Sequence, residues 1–289
     1  MAARRKSAKR STASGAGRPR VPRKAASKAA SRKSPARAAA KRNGAKAPRI
    51  LVVDIGGTNV KVLCTGETEP RRIASGKEFT PAAMVDAVCK LTHDWKYDVV
   101  SIGYPGPVGV HGPRSEPGNL GSGWVGFDFA AAFERPVRII NDAAMQALGS
   151  YEGGRMLFLG FGTGLGSALI AENVIVPLEL GKIIYDKNET LGELLGRRGL
   201  KSLGKSGWRK IVGRMLESFA DAFMVDYIVI GGGNAKLIED LPPGVRLGNN
   251  LTAFRGGMRL WALESIHTHA AGVADAPLPE AQPREWCVI

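Results

Sequence analysis

Ile50-Leu-Val-Val-Asp-Ile-Gly-Gly-Thr-Asn-Val-Lys-Val-Leu63 reads as two buried strands joined by a glycine turn. About a hundred residues later Met156-Leu-Phe-Leu-Gly-Phe-Gly-Thr-Gly-Leu-Gly-Ser-Ala-Leu-Ile170 repeats the pattern. Glycine lets backbone N–H groups turn toward a ligand without a Cβ in the way. A ring of such groups is an anion site. Two copies predict two related α/β lobes that grip one phosphorylated ligand between them.

The charge of the chain is segregated. Its net +15 comes from residues 1–49, which hold 17 Lys and Arg and no Asp or Glu, whereas the other 240 residues hold 24 basic and 26 acidic groups. The 1–48 stretch is Ala, Ser, Lys, Arg, Gly and Pro with almost no larger aliphatic residue, too little apolar surface to offset chain entropy. It is expected to be a disordered basic tail. Three readings stay open for it: a solubilising leader, an arm that binds polyanions such as nucleic acid or polyphosphate, and a transit peptide. No 18-residue apolar run or signal-peptide core occurs, so no membrane role is expected. Cys64, Cys89 and Cys287 are isolated, which favours a reducing cytoplasm over a disulfide framework and offers no zinc spacing.

Outward from the first hairpin, a strand is expected at 71–75 and a helix at 81–94, capped by Thr80 with Pro81 at its first position. A strand at 99–103, a long functional loop at 111–126, a helix at 128–134 and a strand at 137–140 follow. Asn141 and Asp142 stand at that strand's end, before a helix at 143–148. The second half predicts a strand over 174–180, helices over 190–200 and 207–224, and a strand over 227–230 that ends in Gly231-Gly-Gly-Asn234. The expected boundaries are 49–150 for the first lobe, joined by a final helix 252–266, then 151–251 for the second, with 270–289 frayed. Polar residues gather past the carboxyl ends of strands, the edge where ligands sit in open α/β sheets.

A carboxylate at Asp54, inside a buried strand, is costly unless it holds a metal or is hydrogen-bonded. Phosphoryl transfer needs Mg2+ held through one or two carboxylates and water, which Asp54 could supply. Gly56, Gly57, Thr58 and Lys61 would meet phosphate oxygens; the alternative is a plain tight turn. Gly162, Thr163, Gly164 and Gly166 spell a dinucleotide fingerprint, but a strand follows where a helix is required, so that reading is rejected. Asp142 is the candidate general base for a hydroxyl, with Asn141 beside it; the alternative is a helix cap for both. Gly231, Gly232, Gly233 and Asn234 form a close-approach segment, facing a donor or only turning the chain. Pro105, Gly106 and Asn119 lie in loops on the same side, and Glu179 near a strand end.

The ordered set Asp54-Ile-Gly-Gly-Thr58, Gly103-Tyr-Pro-Gly106, Asn119-Leu120, Ile140-Asn-Asp142, Gly160-Phe-Gly-Thr-Gly-Leu-Gly166, Glu179-Leu-Gly-Lys182 and Ile230-Gly-Gly-Gly233 resembles the ROK family of sugar kinases, in its polyphosphate glucokinase branch. The resemblance covers roughly 49–262. It implies a two-lobed, actin-like (ribonuclease H-like) ATPase/sugar kinase fold, with Asp142 as catalytic base. It implies a hexose, glucose by default, bound by Asn119, Asn141, Glu179 and Lys182. It further implies Mg2+, polyphosphate or ATP as donor at the Gly231 segment, no zinc site, and a homodimer. Two positions depart from the family pattern. Lys182 stands where histidine is usual. Gly192 stands near an expected second sugar-binding glutamate, for which Glu189 or Glu193 is the substitute. The competing reading is a kinase-derived sugar sensor that binds nucleic acid through its tail.

Overall fold

The computed structural model describes residues 47–249 and 251–262. Nearly all of the basic tail, the end of the expected final helix and the stretch 270–289 lie outside the described residues.

Ile50-Leu-Val-Val53 is an unbroken apolar run, so the first strand is buried on both faces. Strands β1 (Ile50–Ile55), β2 (Asn59–Cys64) and β3 (Arg71–Ala74) form an antiparallel meander. Helix α1 (Pro81–Leu91) follows, with the Thr80 cap and Pro81 start expected of it. Strand β4 (Val99–Tyr104) returns parallel to β1. The 111–126 stretch is not wholly irregular: β5 (Val108–Gly109) and β6 (Gly112–Pro113) pair at its start. Helix α2 (Phe129–Phe133) leads to β7 (Val137–Asn141), parallel to β4. The sheet order is β3-β2-β1-β4-β7.

Helix α3 (Asp142–Ser150) connects to a second meander of β8 (Arg155–Phe161), β9 (Leu165–Ala171) and β10 (Val174–Leu178). A 3-10 turn, Leu180–Lys182, precedes the small hairpin β11 (Ile184–Asp186) and β12 (Glu189–Thr190). Helix α4 (Leu191–Leu195) then meets α5 (Arg197–Phe223), β13 (Tyr227–Gly231) and β14 (Val245–Leu247). Helix α6 begins at Thr252. The second sheet runs β10-β9-β8-β13-β14, with β13 parallel to β8 and β14 parallel to β13. It therefore repeats the first sheet strand for strand. The three-residue β14 is the counterpart of β7 and was too short to show as a pattern. The predicted gap at 201–206 is helical apart from Gly204, whose φ of 67° breaks α5 into two stretches.

The core is layered. Leu51, Val53 and Ile55 face α1 and α2 on the outside of the first sheet. Ile50 and Val52 point the other way, into a central core shared with α3, α6 and the inner face of the second sheet, including Phe158 and Ile170. Leu157, Leu159 and Phe161 pack outward against α4 and α5. Strand alternation alone assigns these faces. In the central layer α3 and α6 cross at glycines. A Cβ on Gly149 would lie 1.8 Å from Thr252 O, and one on Gly256 would lie 1.8 Å from Met145 O. The architecture is the two-lobed, mixed α/β fold that the twin hairpins predict.

Candidate active site

The site starts with where α3 begins. Strands β1, β4 and β7 run parallel, so their carboxyl ends share one edge: Asp54 pairs with Gly103, and Tyr104 with Asn141. Asn141 caps α3, its Oδ1 accepting from Ala144 N–H at 3.0 Å, while its Nδ2 donates to Gly106 O at 3.1 Å. The cap alternative is thus realised for Asn141, whose buried amide ties the helix to the Pro105-Gly106 loop. Asp142 is the first residue of α3, and its Oδ1 accepts from Ala143 N–H at 2.7 Å.

Glycines pack against Asp142 and against the next residue, Ala143. A Cβ on Gly103 would lie 3.6 Å from Asp142 Cα, and one on Gly166 would lie 3.0 Å from Ala143 Cβ. The start of α3 is thereby packed between the edge that carries Asp54 and the second hairpin. Burial, then the charge of Asp54, then that of Glu179 push the Asp142 carboxyl up to about 7, against the pull of the Ala143 N–H. Burial also raises Asp54, opposed by the Lys61 ammonium across the hairpin.

The first turn, Gly56 to Asn59, is closed by Gly56 N–H donating to Asn59 O at 3.1 Å. Ser75 secures it from β3's end: its hydroxyl donates to Gly56 O and its N–H to Thr58 O. Gly57 and Thr58 are exposed. Asn119 lies over this turn, since a Cβ on Gly57 would lie 3.1 Å from Asn119 Cβ. The loop that carries Asn119 is held by buried Trp124 and by Glu116, whose carboxylate accepts from the N–H groups of Trp124 and Val125.

The second turn is one residue shorter, with Gly162 N–H donating to Gly164 O at 3.1 Å and Thr163 exposed. Gly160 stands where Asp54 stands in the first sheet, paired to Gly166 as Asp54 is to Lys61. Only the first hairpin thus carries a carboxylate. The Gly231–Asn234 segment latches onto this turn: Asn234 N–H donates to Phe161 O, and Asn234 Nδ2 to Gly162 O at 3.0 Å. Gly232, at φ 82°, packs so closely on Phe161 that a Cβ would overlap its backbone. Gly162 and Gly233 face open space.

Glu179 follows β10, half-exposed, with Lys182 Nζ 3.8 Å from its carboxylate. Lys182 thus answers the charge of Glu179. Sequence reasoning missed Ser167. Its buried hydroxyl donates to Leu178 O at 3.0 Å and accepts from Leu180 N–H at 3.1 Å, bracketing Glu179 on both sides. A serine at an inward strand position of the second hairpin was the available signal.

The departure at Gly192 has a packing cause. A Cβ there would lie 2.8 Å from Gly181 O, so α4 and the Leu180–Lys182 turn approach through paired glycines. Glu193, one candidate for the expected glutamate, has its carboxylate engaged locally. It closes a capping box with Thr190 and pairs with Arg198, and these contacts lower its pKa. Glu189, the other candidate, lies in β12 immediately before α4.

Among the described residues no three His, Cys, Asp or Glu side chains gather into a metal-binding group. Mg2+ does not require one: it is commonly held by one or two carboxylates, water and substrate phosphates. Asp54 and Asp142, close enough for one charge to raise the other, fit such a site because a cation relieves their repulsion. Also among the described residues, no helix is long and apolar enough to cross a membrane.

No family model matches the chain. It is 26% identical over 217 residues to a polyphosphate glucokinase of Mycobacterium tuberculosis, which spans 66% of this chain and 80% of that protein. The solved inorganic polyphosphate/ATP-glucomannokinase of Arthrobacter sp. strain KM superposes with a TM-score of 0.65 at 22% identity, over 75% of this chain and 99% of that one. A ROK family glucokinase from Streptomyces griseus, solved with glucose and AMPPNP, superposes with a TM-score of 0.58 at 17% identity, over 73% of this chain and 98% of that one. The chain has the actin-like fold of the ROK-family sugar kinases.

Proposed function

We propose that this chain is a hexose kinase, with glucose as its acceptor and polyphosphate or ATP as its donor. One observation carries the reading: Asp142 begins α3 beside Gly103 of β4, its neighbour Ala143 packs on Gly166 of the second hairpin, and burial with the charges of Asp54 and Glu179 pushes its carboxyl up to about 7. The names of the similar proteins support the same reaction class.

In this reading the sugar lies over Asp142, held by Asn119, Glu179 and the remaining amide N–H of Asn141. Lys182 pairs with Glu179 and so bears on sugar choice. A sugar hydroxyl is a poor nucleophile at neutral pH. A carboxylate titrating near 7 is ionised often enough to act and basic enough to draw a proton, a contribution of ~10²–10⁴-fold. The transferred phosphoryl group sits between the turns, on the N–H groups of Gly56, Gly57, Gly162 and Gly164 and on Thr58 and Thr163. Gly166 lets the second hairpin close on Ala143, and Lys61 adds positive charge behind Asp54. Gly231, Gly232 and Gly233 line the donor side, with Asn234 holding them to the turn. Asp54 would hold Mg2+ through water, and Mg2+ when bound supplies charge neutralisation on the donor phosphates. Positioned charge of this kind is most of the catalysis in phosphoryl transfer.

A coupled assay with glucose against each donor tests the reading. Sugar phosphate must form with at least one donor and be lost in Asp142→Asn. Turnover of no hexose with either donor, or an unimpaired Asp142→Asn, sinks it.

A further inference from the structure

One stretch of the folded region is basic without any acidic residue to offset it. Seven Lys and Arg fall between Arg197 and Arg214 with no acidic residue among them, whereas the rest of residues 50–289 holds 17 basic against 26 acidic groups. Two of the seven are paired, Arg198 with Glu193 and Arg209 with Glu239. Arg197, Lys201, Lys205, Lys210 and Arg214 are exposed and have no acidic partner among the described residues. Steps of four place Arg197 beside Lys201 before the Gly204 break and Lys210 beside Arg214 after it.

This ridge begins on the second glycine turn. Arg197 N–H donates to Thr163 O at 3.2 Å, and a Cβ on Gly196 would lie 2.5 Å from Thr163 O and 2.8 Å from Gly164 Cα. Buried Trp208, its Nε1 donating to Leu195 O at 3.0 Å, anchors the stretch after the break onto α4. The ridge is therefore fixed to the turn rather than free to wander. The Gly204 break, at φ 67° and ψ 168°, turns the chain so that the Lys210–Arg214 pair is carried back toward α4 rather than on in a straight line from Arg197.

We propose that α5 is a track for a long-chain polyphosphate donor, whose reacting end lies at the Gly162–Gly164 turn and whose remaining phosphates run along Arg197, Lys201, Lys205, Lys210 and Arg214. The proposal rests on the kinase reading and extends it to the donor. A flexible anion with one charge per repeat suits a line of mobile ammonium and guanidinium groups, which need no fixed register. The otherwise acidic body repels polyanions, so the field favours this one approach. A nucleotide donor has three phosphates and engages fewer of these five cations than a long chain does, so the cluster discriminates by the number of phosphates.

The test replaces four surface cations in the full chain: Lys201→Gln, Lys205→Gln, Lys210→Gln and Arg214→Gln together. Expected is a rise of about tenfold or more in KM for long-chain polyphosphate, with a salt slope shallower by about three. KM for ATP and for tripolyphosphate stays within twofold. The basic tail is present in both proteins and cancels. Equal KM for long chains in the two proteins overturns the track, as does an equal loss for ATP and tripolyphosphate. If no donor supports turnover, the kinase reading fails by itself. Equilibrium binding of long-chain polyphosphate to the parent and the quadruple variant then decides the track separately. Weakened binding of single-stranded DNA with polyphosphate binding unchanged marks a nucleic-acid surface and also overturns it.

Discussion

Asp142 is costly to the fold. In an unfolded chain its carboxyl loses its proton near the ordinary 3.8, but in the fold near 7. Between those values the native state holds more protons than the unfolded one, so stability falls as pH rises from 4 to 7 and stays lower above. Asp142→Asn is expected to be more stable than the parent at pH 8 by up to about 4 kcal/mol, and no different below pH 4, in urea melts at the two pH values. The same variant loses ~10²–10⁴-fold in kcat, and the parent's kcat/KM rises with pH through about 7 as the base form grows. A stabilised and still active Asp142→Asn would break the link between strain and function. Ser167 is a positioning residue. Ser167→Ala orphans Leu178 O and Leu180 N–H at a cost of about 1–3 kcal/mol. It also frees Glu179, so KM for sugar should rise more than kcat falls. The acid limb should move to lower pH as the Glu179 charge withdraws from Asp142. An unmoved limb would leave Ser167 as packing alone.

At the scale of elements, paired glycines decide how closely parts approach. Gly181 and Gly192 let α4 lie against the turn that carries Lys182. Gly192→Glu therefore does not restore a second sugar-binding carboxylate. It displaces Gly181 and destabilises by about 1–3 kcal/mol, with KM for glucose raised rather than lowered; thermal melts and a sugar titration check both. The twin hairpins were legible because each is an unbroken apolar run around a Gly turn. β14 and the β11–β12 hairpin were not, because two or three residues carry no period. The α5 break at Gly204 was read as a gap between helices, since a lone glycine with positive φ looks like a terminus in sequence.

For the whole molecule, the two sheets share one inner layer, so a ligand that bridges them stabilises the entire fold. Glucose at a hundred times its Kd should add ~2.7 kcal/mol to unfolding. Asn119→Ala should need several-fold more glucose for the same shift, and an absent shift with every hexose would leave the acceptor unassigned. The basic tail is expected to add a salt-dependent term to polyanion binding. A chain making six to ten phosphate contacts loses ~10³–10⁵ in polyanion affinity between 50 and 200 mM salt. Deletion of residues 1–48 should remove most of that slope, and filter binding at the two salts checks it.

By itself the sequence determined the repeated hairpins, the burial faces of their strands, the segregation of charge and the Asn-Asp pair at a strand end. These are local matters of period, glycine and composition. Only the tertiary structure decided that Asp142 lies against Gly103 and its neighbour Ala143 against Gly166, that Asp54 and Glu179 raise the Asp142 pKa, and that Ser167 brackets Glu179. It also decided that Gly192 is a packing glycine and that α5 starts on the second turn. Each joins residues distant in the chain, and a distance across a folded core is set by packing, which no local pattern records.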